Sequence, residues 1–245
     1  MRMKPRGALV VVATGFFAAL AAGPAAPAAF AGDTGSGVIA GTISFTGSPP
    51  PPKKVKLTAD PMCAAIHKNG LDIQPVRVTG GGLADVVVHV KSGITGSYAA
   101  PSEPALLDQL GCVYEPRMVV LMVGQPLKIR NSDETLHNIH PRPTGNKEFN
   151  VGQPRKGMEL TRTFDAPELM IVTGCDVHPW MRAYISVFSN PFFAVTKANG
   201  SYEIKGLPDG DYEVEAVHSD LGSASGKVSV KGGKESRLDL ALKKQ

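Results

Sequence analysis

Thr173-Gly174-Cys175-Asp176-Val177-His178-Pro179-Trp180-Met181-Arg182-Ala183-Tyr184 is the stretch around which the sequence is organised. Two residues separate its cysteine from its histidine, and two more separate that histidine from its methionine. Well upstream, a second histidine, His137, stands directly before Asn138. A thiolate, two imidazoles and a thioether form a soft set of donor atoms, so we expect these side chains to bind a transition metal.

The donor set favours copper over zinc. Two histidines and one cysteine in a trigonal plane, with a weak and long axial methionine, are typical of electron-transfer copper sites. Zinc would prefer cysteine, histidine or a carboxylate to methionine as its fourth ligand. The sequence therefore predicts one type 1 copper ion per chain, bound by His137, Cys175, His178 and Met181.

Some neighbours of these ligands have two interpretations. His140 lies three residues after His137, and on a strand the two side chains would point to opposite faces. In an irregular loop, His140 could instead be the ligand or an outer contact. Asn138 could join the two ligand segments by hydrogen bonds, or it could be a turn residue. Pro179 and Trp180 would form an apolar rim for a redox partner, or they would only pack the loop.

The three cysteines leave a pair if one of them binds metal. An odd number of cysteines in an exported protein suggests one disulfide plus one thiol with another role. If Cys175 is a ligand, Cys63 and Cys112 are left to form the disulfide. The alternative is a second metal site that contains Cys63 and His67, although no further ligand cluster stands near them.

Residues 1–31 have the pattern of a secretory signal. A basic segment at 1–7 precedes an apolar run at 8–23, and small residues at 29 and 31 mark a cleavage site. An uncleaved membrane anchor is the alternative, but the apolar run is short for a membrane span. We expect export to a periplasm or outer surface, with no stable membrane insertion after cleavage. The formal charge of +4 falls close to neutrality without this segment, so no nucleic-acid partner is expected.

Short alternating or apolar segments, separated by glycine and proline turns, predict an all-β protein. A short helix or irregular connection is expected at 60–70, and His137 is expected on a loop just past a strand end. We predict strands at residues 37–45, 53–57, 84–90, 118–123, 127–131, around 164, 169–173, 183–188, 192–196, 201–204, 211–217, 226–230 and 237–242.

Several short motifs between residues 113 and 188 occur together. They are Tyr114-x-Pro116, Gly124-Gln125-x-Leu127, Asn131-x-Asp133, His137-Asn138-Ile139-His140 and Cys175-x2-His178-Pro179-Trp180-Met181. With them this region resembles the copper-binding half of a cupredoxin of the plastocyanin and amicyanin type. The resemblance implies a Greek-key β-sandwich with copper at one end. It also implies that His137, Cys175 and His178 form the trigonal plane and that Met181 is the axial contact.

A second resemblance concerns the end of the chain. Residues 200–212, with their regularly spaced glycine, tyrosine and proline, resemble carboxypeptidase regulatory-like, transthyretin-like sandwiches. Residues 37–47 look like the first strand of the same module, with 84–90 as its next. We therefore predict a signal peptide at 1–31, a cupredoxin-like copper domain with an N-terminal extension at 32–188 and a smaller β-sandwich at 189–245, which strands from 37–93 could complete.

Catalysis is not expected from this sequence. Copper enzymes with several metal centres need further paired histidines, and those that remain are scattered at His67, His89, His140 and His218. A cysteine nucleophile with a histidine base would give the methionine no role. We predict an exported carrier of single electrons between a redox protein donor and acceptor. The alternative is a copper-binding or structural and interaction β-sandwich protein without electron-transfer turnover.

Overall fold

The computed structural model describes Met1 and residues 35–57 and 60–244. Apart from Met1, the predicted signal segment lies outside these residues. The described ranges contain 21 strands and one short helix, so the fold is all-β, as predicted. Within them, no helix is long and apolar enough to cross a membrane.

Most of the longer strands lie close to their predicted positions, but the prediction missed the strands β3, β4, β5, β7, β8 and β12. A strand was predicted around Phe164, whereas β13 ends at Arg162, and the predicted strand at 237–242 is divided into two. The elements are β1 Gly37–Thr46, β2 Lys53–Val55, α1 Pro61–Ile66, β3 Leu71–Ile73, β4 Val78–Thr79, β5 Gly82–Leu83, β6 Val87–Ser92, β7 Ala105–Leu110, β8 Val113–Glu115, β9 Met118–Met122, β10 Leu127–Asn131, β11 His137–Arg142, β12 Val151–Gln153, β13 Glu159–Arg162, β14 Glu168–Gly174, β15 Arg182–Phe188, β16 Phe193–Val195, β17 Ser201–Leu207, β18 Gly210–His218, β19 Gly222–Val230, β20 Glu235–Arg237 and β21 Leu240–Lys243.

The first sandwich combines strands from both ends of the described chain, and we call it the terminal sandwich. One sheet has the order β17-β1-β5-β4, with β20 and β21 also pairing with β1 in parallel. The facing sheet has the order β16-β6-β18-β19. Aliphatic and aromatic side chains from both sheets fill the space between them, among them Ile39, Ile43, Val88 and Val214.

Strands β7 to β15 form the second sandwich, which we call the central sandwich. Its sheets have the orders β13-β10-β7-β8 and β12-β11-β14-β15-β9. Parallel pairing of β7 with β10 and of β9 with β15 brings together strands that are not consecutive in sequence. The core between the sheets includes Leu107, Leu121, Ile129 and Ile185, and it continues to Cys175 and Met181.

The first four residues of β6 are buried on both faces, because one face lies in the core of the terminal sandwich and the other packs against the central sandwich. Val88 and Val90 belong to the core of the terminal sandwich. Val87 belongs to a separate apolar cluster with Met118 and Tyr184 of the central sandwich. Side chains alternate along a strand, so an apolar run of this kind is expected where both faces are covered.

One segment covers the end of the central sandwich, and we call residues 53–57 and 60–73 the cap. It contains the antiparallel pair β2 and β3 and the helix α1. A disulfide joins Cys63 to Cys112, as predicted, so Cys63 is not a metal ligand. His67, from the alternative second site, instead makes a 2.7 Å hydrogen bond with the carbonyl oxygen of Gly111.

Candidate metal centre

The three predicted ligands Cys175, His178 and Met181 lie on a loop between two paired strands. Strand β14 ends at Gly174, and β15 begins at Arg182, opposite it in the antiparallel register. Inside the loop, the backbone N–H of Cys175 donates to the carbonyl oxygen of Met181, at 3.3 Å, and that of Met181 donates to His178, at 2.9 Å. The sheet and these bonds thus determine where the cysteine and the histidine point.

His137 reaches the same place from the neighbouring strand. It is the first residue of β11, and so the prediction that it lies on a loop past a strand end is wrong. Its position is set by pairing with Gln153 of β12, a strand that the sequence did not reveal. The side chains of His137, Asn138 and Ile139 are all buried there.

The donor atoms of three predicted ligands converge. Nδ1 of His137 and Nδ1 of His178 are 2.9 Å apart, and Sγ of Cys175 lies 3.8 Å from Nδ1 of His178. These three ligand atoms all lie within 4.8 Å of one another, and all three residues are buried. Met181, which is 1% exposed, packs in the same core cluster as Cys175. A thiolate and two imidazoles at these separations fit a soft transition metal.

The outer nitrogen of each imidazole faces a carboxylate. Nε2 of His137 lies 2.9 Å from Oδ2 of Asp133, and Nε2 of His178 lies 2.8 Å from Oδ2 of Asp60. A carboxylate at Nε2 holds a proton on that nitrogen, so Nδ1 is the nitrogen that could bind a metal, and it must lose any proton of its own to do so. The motif Asn131-x-Asp133 contains Asp133, but the sequence assigned this residue no role. The only feature of the sequence that pointed to Asp60 was its position close to Cys63.

Asp133 is itself held by the loop that carries the disulfide. Its two carboxylate oxygens accept the backbone N–H groups of Gly111 and Cys112, each at 2.8 Å. The carboxylate is buried, and its hydrogen bonds compensate for the loss of water. Burial raises the pKa of Asp133, but the hydrogen bond with His137 and those from the backbone of Cys112 and Gly111 outweigh it and leave that pKa below its ordinary value.

Asn138 joins the segments that carry His137 and Cys175 by hydrogen bonds, which is the first of its two interpretations. Its Oδ1 accepts the backbone N–H of Asp176 at 2.7 Å and faces Sγ of Cys175 at 3.2 Å. Its Nδ2 donates to Asp176 and to Asn150. Backbone N–H groups of Asn138 and His178 point at Sγ of Cys175, at 3.5 and 3.4 Å. Such outer hydrogen bonds orient a ligand and stabilise a thiolate.

The electrostatics favour the ligand form of the cysteine. Burial raises the pKa of Cys175, but hydrogen bonds from His137 and from backbone N–H groups outweigh it and lower that pKa below its ordinary value. Burial also opposes protonation of His137, but its contacts with Asp133 and Cys175 prevail and raise the pKa of His137 to about 9. Burial lowers the pKa of His178. The thiol of Cys175 therefore loses its proton, as metal binding requires, more easily than an ordinary cysteine thiol.

His140 lies outside this cluster. Its Nδ1 is 3.0 Å from Oδ2 of Asp176, and its Nε2 is 2.6 Å from Oε1 of Glu148. Both ring nitrogens thus face carboxylates, and His140 does not join His137, as expected if the two side chains point to opposite faces of a strand.

The expected apolar rim is only partly exposed. Pro179 is exposed, but Trp180 is half-buried and packs against the apolar side of the cap. Its Nε1 donates to the carbonyl oxygen of Cys112 at 2.9 Å, and its ring centroid lies 5.0 Å from that of His178. The tryptophan therefore joins the cap to the ligand loop.

No protein-family model matches the chain. A search of curated proteins gives no match either. Solved structures that are similar in part include a copper-containing nitrite reductase from Thermus scotoductus SA-01, with 21% identity over 40% of this chain and a TM-score of 0.34. The match spans 25% of that enzyme's chain.

Two smaller proteins are also similar in part. One is a purple cupredoxin from Nitrosopumilus maritimus, with 21% identity over 34% of this chain and 98% of its own, at a TM-score of 0.30. The other is an amicyanin variant in the Cu(I) state, with 22% identity over 36% of this chain and 96% of its own, at a TM-score of 0.30.

Proposed function

We propose that this protein is an exported type 1 copper protein that carries single electrons between redox partner proteins. The observation that supports the proposal is the buried convergence of Nδ1 of His137, Nδ1 of His178 and Sγ of Cys175. Met181 is proposed as the weak axial contact, because it is buried beside Cys175. Copper bound here would supply one-electron chemistry.

In this proposal, the protein holds the metal ligands in fixed positions and shields them from water. Three of the four proposed ligands lie on one loop closed by backbone hydrogen bonds, and the fourth lies on an adjacent strand. A site that changes little between Cu(I) and Cu(II) favours electron transfer, and a packed, hydrogen-bonded shell limits such change. No nucleophile, base or substrate pocket is needed for this role, so no catalysis is proposed.

An open groove offers one approach to the site for a redox partner. It has a volume of about 490 Å³ and reaches Cys175, Pro179 and Met181. Arg142 and Arg182 border it. We propose that a donor or acceptor protein docks here, because the groove adjoins the proposed cysteine and methionine ligands.

Domain organisation and location form part of the same proposal. The central sandwich would be the copper-binding unit, inserted into a transthyretin-like unit that strands from 37–93 complete. The pairing of β1 with β17, β20 and β21 supports this arrangement. Export to a periplasm or outer surface is supported by the Cys63–Cys112 disulfide, since such bonds persist in oxidising compartments.

Loading the purified protein with Cu(II) tests the metal site. We expect an intense visible thiolate-to-copper band that a reductant bleaches reversibly, and we expect the Cys175→Ser variant to lack it. The matched control is His140→Gln, which should keep the band because His140 faces Asp176 and Glu148 instead. A colourless wild-type protein, or a coloured Cys175→Ser variant, would contradict the proposal.

A second candidate function is copper binding without electron-transfer turnover. The burial of His178, at 1% exposure, favours it, because the cap covers the outer edge of the imidazole. Voltammetry of the copper-loaded protein separates the two functions. A reversible one-electron wave supports the carrier, whereas a coloured protein without electron exchange supports the alternative.

A further inference from the structure

The outer edge of the His178 imidazole is covered by a remote part of the chain. Oδ2 of Asp60 lies 2.8 Å from Nε2 of His178, and Sγ of Cys63 lies 3.8 Å from the same nitrogen. Both residues belong to the cap, which is more than 100 residues away in sequence. We propose that Asp60 is a positioning residue for His178 and that the cap seals this edge from solvent; the inference rests on the proposed metal site.

Contacts independent of His178 fix the Asp60 carboxylate. Its Oδ1 accepts the backbone N–H groups of Met62 and Cys63, at 2.8 and 3.0 Å, and so caps the N-terminus of α1. Its Oδ2 also accepts the hydroxyl of Thr135 at 3.0 Å. The carboxylate is therefore held in place before it meets the imidazole, which is what a positioning group requires.

The disulfide links the supports of the two histidines. Cys63 lies in the first turn of the helix that Asp60 caps, and it is bonded to Cys112. The backbone N–H of Cys112 donates to Asp133, the carboxylate that faces His137. One covalent bond thus ties together the segments that hold Asp60 and Asp133.

This arrangement determines the orientation of the ring. With Nε2–H donated to Asp60, Nδ1 of His178 points at His137 and Cys175. Rotation of the imidazole out of the site would break the bond to Asp60 and displace the packed ring of Trp180. Water reaches this edge only if the cap moves, and so electrons are expected to enter elsewhere, at the groove beside Cys175.

The first test uses metal-free protein. A sealed, hydrogen-bonded Nε2–H of His178 should give a slowly exchanging imidazole proton resonance in NMR spectra. The Asp60→Asn variant keeps the side-chain shape and a capping oxygen but presents a second donor to Nε2–H, so the resonance should be lost. The control is Asp72→Asn, which removes an exposed cap carboxylate that pairs with Lys54. An unchanged resonance in Asp60→Asn would overturn the inference.

The second test measures Co(II) affinity, which needs no electron transfer. Loss of an outer partner of a histidine ligand typically weakens metal binding, and we expect about tenfold to hundredfold weaker binding in Asp60→Asn. Asp60→Ser provides a second variant, since serine also caps helices but is too short to reach His178. Equal affinities of both variants and the wild type would overturn the positioning role.

The two tests separate this inference from the proposed function. A wild-type protein that binds neither Co(II) nor Cu(II), but whose His178 proton is protected only when Asp60 is present, would contradict the copper site and support the seal. A wild-type protein that forms the visible copper band and has a freely exchanging His178 proton would support the copper site and overturn the seal.

Discussion

Both sandwiches are built from β-strands, but the side chains that fill the space between their sheets differ in chemistry. Between the sheets of the terminal sandwich lies a cluster of aliphatic and aromatic side chains. In the central sandwich the corresponding cluster includes Cys175 and Met181, and it adjoins the buried imidazoles of His137 and His178. An apolar core is stable by itself, whereas buried polar groups require partners.

The partners of the two imidazoles come from outside the two facing sheets. Asp133 lies on the turn before β11, and Asp60 lies on the cap. The polar end of the central sandwich is thus completed by segments outside its sheets, and a disulfide joins those segments.

Removing the disulfide should have the largest effect on stability. The cysteines are 49 residues apart, and a loop of that size corresponds to about 4 kcal/mol of unfolding free energy. We expect a loss of this size in a Cys63→Ala, Cys112→Ala double variant, measured by denaturant unfolding. Trp180, the chain's one tryptophan, packs on the cap, so its fluorescence should report the change directly. A loss below about 1 kcal/mol would show that the cap is held mainly by packing.

Truncating the core of the terminal sandwich should destabilise the protein without touching the site. Ile43 is fully buried between its sheets, and Ile43→Ala should cost about 3 kcal/mol of unfolding free energy. Co(II) affinity of the folded variant should equal that of the wild type, because no residue of the candidate site lies in this core. A large loss of affinity would show that the two sandwiches are coupled.

Removing the carboxylate behind His137 should weaken metal binding. Asp133→Asn places an amide N–H₂ group or a poorer acceptor against Nε2 of His137, and we expect about tenfold to hundredfold weaker Co(II) binding, measured by titration. The control is Asp165→Asn, on the exposed surface of the same sandwich. Equal affinities for both variants would contradict a role of Asp133 in holding the ligand.

The smallest expected effect concerns a carboxylate that lies away from the metal ligands. Glu168 accepts the backbone N–H groups of Thr144 and Gly145 and the amide of Asn146. Burial raises the pKa of Glu168, but these hydrogen bonds outweigh it and lower that pKa below its ordinary value. Its stabilisation is therefore present above the unfolded pKa of 4.5 and is lost as the pH falls through the folded pKa.

We therefore expect Glu168→Gln to lower the unfolding free energy by about 1 kcal/mol at neutral pH, discounted for its partial exposure. The difference from the wild type should shrink as the pH falls below 4.5. Denaturant unfolding at a series of pH values measures it. A difference that does not change with pH would indicate that charge has no part in this contact.

Local sequence patterns predicted those features of the structure that depend on neighbouring residues or on residue counts. The apolar run at 84–90 predicted a strand, and β6 begins within it at Val87. Period-two alternation separated His140 from His137. Cysteine arithmetic predicted the Cys63–Cys112 bond. In each case the deciding feature is a spacing or a count within the sequence.

Other features depended on pairing between distant segments. His137 was placed on a loop because β12 carries a weak strand signal, and only its register with Gln153 makes it the start of a strand. Strand β7 was missed although it pairs with β10 and β8 in the middle of a sheet. Burial and pairing in the folded chain, which the local sequence does not express, stabilise such strands.

The sequence alone determined which donor types the candidate site offers, because Cys175, His178 and Met181 and their spacing on one loop already predict a soft metal. Only the tertiary structure decided what surrounds them. The contact between Asp60 and His178 joins residues more than 100 positions apart, and it exists because α1 is tied by a disulfide to the loop before β8. Contacts of that range depend on how sheets and covering segments pack, and no local pattern encodes them.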